Sequence, residues 1–190
     1  MANNLPANPL AALVSRAAQS LPAETGATAR SARRDVRLVL ADTSASMAEA
    51  AGGRTKIDAL HEALAALPGD VRTIAFSWRV VEVPRGAPLP APNGGTALDL
   101  ALQTAAGMDP DHVLVVSDGH PDDPASALRA ASRLRCRIDV IYCGPDGDRE
   151  GMAFMRRLAR HGGSARHHNL AREPEKLGGA LRQLMIEGPR

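Results

Sequence analysis

Asp42, Ser44 and Ser46 alternate along the stretch DTSAS, directly after an apolar run. An Asp in that place can be a nucleophile, a metal ligand or a turn residue. The two hydroxyls at every second position narrow the choice, because a turning, extended backbone aims alternate side chains at one point. Two further oxygen donors lie downstream, Thr96 in NGGTALDLAL and Asp118 in VVSDGHPDD. Together these are two carboxylates and three hydroxyls, with no His or Cys among them. Hard oxygen donors of this kind suit Mg²⁺, and Mn²⁺ or Ca²⁺ less selectively.

Such residues act together only if the fold brings them to one place. From Asp35 onward, strand and helix patterns alternate. VRLVLA (36–41) predicts a central strand and TKIDALHEALAAL (55–67) an amphipathic helix, with Ile57, Leu60, Leu64 and Leu67 as its buried stripe. VRTIAFS (71–77) and WRVVEV (78–83) follow each other with almost no loop, which predicts an antiparallel hairpin at a sheet edge. The segment 84–95 carries four prolines and three glycines and cannot be regular structure.

Beyond it the spacing predicts a helix from Thr96 to about Ala106, a strand over 112–117 and a helix over 124–135. A strand over 137–143, a helix over 148–162, a weaker strand over 164–170 and a last helix over 173–185 complete the pattern. The last helix has Gly178 and Gly179 near its middle, which would either ease its bending or break it into two. Alternation of this kind predicts an α/β fold: a doubly wound, mainly parallel six-stranded sheet with one antiparallel edge strand and helices on both faces. Ligands of such folds bind beyond the carboxyl ends of the strands, where the winding reverses. Asp42 and Asp118 each follow a strand, and Thr96 stands at a glycine-rich helix start where it could also serve as N-cap. All three clusters are expected above one edge.

This set resembles the metal-ion-dependent adhesion site of von Willebrand factor A (vWA) domains. Those domains carry D-x-S-x-S after the first strand, a distant Thr and an Asp in a T/S-D-G turn. Asp42, Ser44, Ser46, Thr96 and Asp118 occupy the five positions, and the likeness spans about residues 35–186. The resemblance implies a Rossmann-like fold and direct contact of Ser44, Ser46 and sometimes Thr96 with the cation. Asp42 and Asp118 would act mostly through bound water. It further implies a protein-binding adaptor, not an enzyme, whose partner supplies a Glu or Asp carboxylate to the metal. Relatives inside cells often serve multi-protein machines that contain AAA+ ATPases.

A Mg²⁺-dependent phosphatase of the haloacid-dehalogenase type also has an Asp after its first strand. Its general acid two residues later is replaced here by Ser44, which cannot do acid–base work near neutral pH. The phosphate-steadying lysine is doubtful too, since Lys56 and Lys176 are the chain's only lysines. Phosphate-binding loops, dinucleotide fingerprints and the G-x-S-x-G of serine hydrolases are absent.

The formal charge of +2 is too balanced to point to nucleic acid or a membrane surface, and aromatic residues, at 2%, are too few for base stacking. Cys136 and Cys143 form no C-x-x-C pair, and the N-terminus lacks the pattern of a secretory signal. The expected location is the cytoplasm. Residues 1–34 form a separate extension whose Leu10, Leu13, Val14, Ala17 and Leu21 fall at helical spacing. That helix offers a second route to a partner, with the metal then purely structural.

Asp122 and Asp123 read as a solvated loop that caps the next helix, the alternative being charges that tune the metal or select a basic rim on the partner; His120 reads as an exposed loop residue, the alternative being a partner contact. His167 and His168 are adjacent in a strand and point to opposite faces, so they make a poor chelating pair. Arg129, Arg133 and Arg137, like Arg156, Arg157 and Arg160, read as solvated helix faces, and Met152 and Met155 as core.

Overall fold

In a computed structural model of the chain, residues 35–186 are described. The amphipathic helix expected within residues 1–34 lies outside them. The described residues form eight strands and five α-helices. Strands β1 (Arg37–Asp42), β4 (Val71–Phe76), β5 (Val80–Val83), β6 (His112–Ser117), β7 (Arg137–Tyr142) and β8 (Ala165–His167) build the main sheet, and β2 (Ala50–Ala51) and β3 (Arg54–Thr55) pair as a small hairpin. The helices are α1 (Lys56–Ala65), α2 (Leu98–Gly107), α3 (Pro124–Ala131), α4 (Arg149–Leu158) and α5 (Leu177–Ile186).

The order across the main sheet is β5-β4-β1-β6-β7-β8. All pairings are parallel except that of β4 with β5, which is antiparallel at the edge. The chain winds outward from β1 through β4 to β5, then returns past β1 to β6 and winds the other way. The reversal therefore falls between β1 and β6, whose carboxyl ends carry Asp42 and Asp118.

Alternate residues of the central strands feed two cores. Leu38, Leu40, Ile74, Phe76, Val113 and Val115 pack under α2, α3 and α4, whereas Val39, Ala41, Leu114 and Val116 pack under α1 and α5. β6 is buried along its whole length, as a central parallel strand covered on both faces must be. Aromatics are scarce, yet Phe76 and Tyr142 are fully buried, so aliphatic side chains fill the remainder. Met155 is buried and Met152 packs beside it, as the helical spacing requires.

Helix starts follow local chemistry. Thr55 and Asp58 form a reciprocal capping box on α1. Asp123 caps α3, with Pro124 in the first turn. Asp148 caps α4 by accepting from the Gly151 N–H.

Several expectations need correction. Helix α2 begins at Leu98 with Ala97 in the cap position and no side-chain cap, so Thr96 is not its N-cap. Lys56 is 4% exposed and belongs to the buried side of α1, while Ile57 and Leu64 are only half-buried. Gly178 and Gly179 lie in the first turn of an unbroken α5, after a 3-10 turn at Pro174–Lys176, not in a helix middle. Arg137 stands in β7, where it pairs with Asp139 instead of continuing a solvated helix face. The 3-10 turn at Ala45–Ala48 and the β2–β3 hairpin had no sequence signal of sufficient length.

Candidate metal centre

Asp42 ends β1 and is completely buried. Its Oδ1 accepts from the Ser44 backbone N–H at 2.8 Å, a short side-chain turn that bends the chain off the strand. Its Oδ2 accepts from the Ser117 hydroxyl at 2.6 Å, across the gap between β1 and β6. Ser117 Oγ in turn accepts from the Gly119 N–H at 3.1 Å. Gly119 has φ +84°, and a Cβ there would stand 2.8 Å from the Gly151 carbonyl oxygen, so the turn demands glycine.

Burial raises the Asp42 carboxyl to about 6, against the lowering by hydrogen bonds from Ser117 and Ser44; the nearby Asp118 carboxylate adds to the rise. Both oxygens of Asp42 are held by the protein, so this group can shape a cation site and hold water in it while leaving direct contact to others.

Ser44 is buried and Ser46 half-buried, and their hydroxyl oxygens lie 3.1 Å apart. Neighbouring ligands of an octahedral Mg²⁺ with bonds of ~2.0–2.1 Å are about 2.9 Å from each other. The serine pair therefore fits one edge of such an octahedron. The 3-10 turn that carries Ser46 is pinned by Met47, fully buried in the core.

Thr96 reaches the same place because three loops are laced together. The Ala45 N–H donates to the Gly94 carbonyl at 3.1 Å, and the Asn93 N–H to the Thr43 carbonyl at 3.0 Å. The Thr96 N–H donates to Asp122 Oδ2 at 3.0 Å, while the Asp122 N–H donates to the Thr96 carbonyl at 3.0 Å. The loop of Thr96 is thus tied to DTSAS on one side and to the Asp118 loop on the other.

Asp118 is 7% exposed. The Lys56 ammonium lies 3.8 Å from its Oδ2, an ion pair beyond hydrogen-bond distance, and donates to Glu49 Oε2 at 2.7 Å. All five sequence-derived residues therefore stand at one edge of the sheet, on loops held by mutual hydrogen bonds. Their donor set is hard oxygen throughout, and it fits Mg²⁺. Among the described residues no cluster of three His, Cys, Asp or Glu side chains offers a competing site.

Sequence reasoning missed three contributors. Ser117 was visible as the residue before Asp118 in the S-D-G turn. Asp122 reads first as part of a capping loop and otherwise as a charge near the metal; Asp123 does cap α3, with the Ser126 N–H at 2.8 Å, but Asp122 locks the Thr96 backbone. Lys56 had no local signal, since its position in the first turn of α1 is ordinary for a solvated lysine.

The other marked residues are engaged elsewhere. His120 is exposed and pairs with Asp148 at 2.5 Å. His167 contacts the Gly144 carbonyl at 3.0 Å and packs its ring against Tyr142. Cys143 is buried close to the two carboxylates, and burial raises its thiol far beyond neutral pH; burial raises the Cys136 thiol to about 11.

The fold is of von Willebrand factor A type. Among solved structures, the chain is similar to an aerotolerance-related membrane protein from Bacteroides fragilis, with a TM-score of 0.57 at 17% identity over 80% of this chain and 100% of that one. It is also similar to proximal thread matrix protein 1 from the mussel byssus, with a TM-score of 0.55 at 17% identity, over 80% of this chain and 48% of that one. No protein-family model matches the sequence, and no curated protein matches it.

Proposed function

We propose that the chain is a Mg²⁺-dependent protein-binding module that recognises an acidic residue of a partner protein, as an adaptor subunit of a larger complex such as one built around an AAA+ ATPase. The observation that carries this reading is the serine pair: two hydroxyls 3.1 Å apart on loops locked to those of Thr96 and Asp118. Ser44, Ser46 and Thr96 would hold the cation, with Asp42 and Asp118 as the carboxylates around it. A bound Mg²⁺ supplies concentrated positive charge that the neutral hydroxyls leave largely uncompensated, and a carboxylate oxygen satisfies it. The protein's own part is to fix donors: Ser117 and the Ser44 N–H hold Asp42, and Asp122 holds Thr96.

The site is read as non-catalytic. Ser44 stands where a phosphatase would place its general acid, and the nearby His120 is occupied by Asp148. The test is isothermal calorimetry of the full chain with Mg²⁺ and Mn²⁺, followed by capture of partners with wild type and Asp42→Ala, each with Mg²⁺ and with EDTA. Metal binding lost in Asp42→Ala, together with a partner held only by metal-loaded wild type, supports the proposal. A partner indifferent to both changes overturns it and moves attention to residues 1–34.

A further inference from the structure

Trp78 is the chain's single tryptophan, and it is 56% exposed on the turn between β4 and β5. Tryptophan is highly buried on average, and this one is exposed while its ring is held in place. Trp78 is held from three sides. Its indole N–H donates to Asn93 Oδ1 at 2.7 Å. The Arg79 guanidinium stacks over its ring at 4.7 Å from the centroid. Its base rests on Gly94, where a Cβ would come within 2.5 Å of the indole, and where φ is +66°.

Gly94 connects this ring to the metal centre. Its carbonyl receives the N–H of Ala45, the residue between Ser44 and Ser46, and Thr96 follows two positions later. Trp78 is therefore one backbone hydrogen bond away from the serine pair. Arg79 is exposed and has no carboxylate partner among the described residues.

Resting on the metal-dependent reading above, we infer that Trp78 and Arg79 form the specificity wall of the docking face. The partner they fit is a protein segment whose metal-seeking Asp or Glu is followed or preceded closely by an apolar side chain. Arg79 brings to this face a guanidinium with no carboxylate partner among the described residues, and it lies beside the site assigned to the metal, so a segment that carries a carboxylate is favoured. The apolar neighbour covers the indole, and because the ring is already fixed by Asn93, Gly94 and Arg79, little ordering cost opposes the contact.

The experiment uses the full chain in excess Mg²⁺ and synthetic glycine peptides that contain one Glu. In one series, a Leu is placed at each of the three positions on either side of the Glu. Affinity is read by calorimetry, and the environment of Trp78 by its own fluorescence. At least one Leu peptide should bind about tenfold more tightly than the Glu-only peptide and shift the indole emission to the blue. Trp78→Ala should bring the two peptides to equal affinity, Trp78→Phe should restore most of the preference, and Asp42→Ala should abolish binding of both. A Leu preference that survives Trp78→Ala, or no preference in wild type, overturns the wall while leaving metal-dependent acid binding intact. Failure of every peptide to bind overturns both readings.

Discussion

The Lys56 ammonium stands 3.8 Å from Asp118 Oδ2, buried beside a group of oxygens read as a cation site. A fixed positive charge there opposes the arrival of a second one, and it also shares the carboxylate that the metal would use. Lys56→Met keeps the volume and removes the charge. Mg²⁺ affinity should rise by about tenfold, the equivalent of ~1.4 kcal/mol and well within the interaction of charges at this separation. Calorimetric titration reads it directly. A fall in affinity would mean instead that Lys56 orients Asp118 for the metal.

Ser117 joins the ends of the two strands between which the winding reverses. Ser117→Ala removes the donor to Asp42 Oδ2 and the acceptor of the Gly119 N–H together. Partners that orient metal-site groups are worth roughly 10–100-fold in metal affinity. The variant should lose that much Mg²⁺ affinity and ~1–3 kcal/mol of stability while keeping a native circular-dichroism spectrum. Unchanged affinity would show that Asp42 needs no such tether.

The raised Asp42 carboxyl makes stability depend on pH. Because the folded state holds this proton more tightly than the unfolded chain, the metal-free domain gains from it at low pH. That gain is lost as pH rises from 3.8 through about 6. The loss amounts to about 3 kcal/mol at most, from a shift of roughly two pKa units. Saturating Mg²⁺ favours the ionised carboxylate, so it should stabilise the domain more at pH above this window than below it. Urea unfolding across the window, with and without Mg²⁺, measures both slopes, and parallel slopes would count against a cation beside Asp42.

The opposite edge of the sheet supplies a control. Asp139 is fully buried near the start of β7 and meets His112 at 2.7 Å, Arg137 at 2.6 Å, and the N–H and hydroxyl of Ser164 at 2.6 and 2.9 Å. Burial alone would raise its carboxyl, but the donors from His112, Ser164 and Arg137 outweigh it and hold the group well below the usual range. Asp139→Ala leaves the Arg137 guanidinium without its counter-charge and His112 and Ser164 without their buried acceptor, and it should cost ~3–5 kcal/mol in chemical denaturation. Mg²⁺ affinity of the protein that remains folded should not change. If it does, the two edges of the sheet are coupled.

Much of this molecule was legible in one dimension. β1 and β6 are continuous apolar runs, a pattern that only a strand buried on both faces requires, and both appear where that pattern places them. Asp42, Ser44 and Ser46 could be grouped because their spacing is local, and Thr96 and Asp118 because glycine-rich turns follow or precede them. The helix starts were less legible. Thr96 looked like a cap, but the Gly94–Gly95 turn and the two hydrogen bonds with Asp122 hold its backbone outside the helix, which begins two residues later.

By itself, then, the sequence determined the alternation of elements and the antiparallel edge, because each is written in periodicities of a few residues, and it offered five oxygen donors as candidates. Tertiary structure alone decided that Ser117 grips Asp42, that Asp122 locks Thr96, that Lys56 is drawn into the site and that Trp78 is seated on Gly94. Those contacts join residues separated by 16 to 75 positions. Their energy depends on burial and on distances that close only when β1, β6 and the loops above them are packed together.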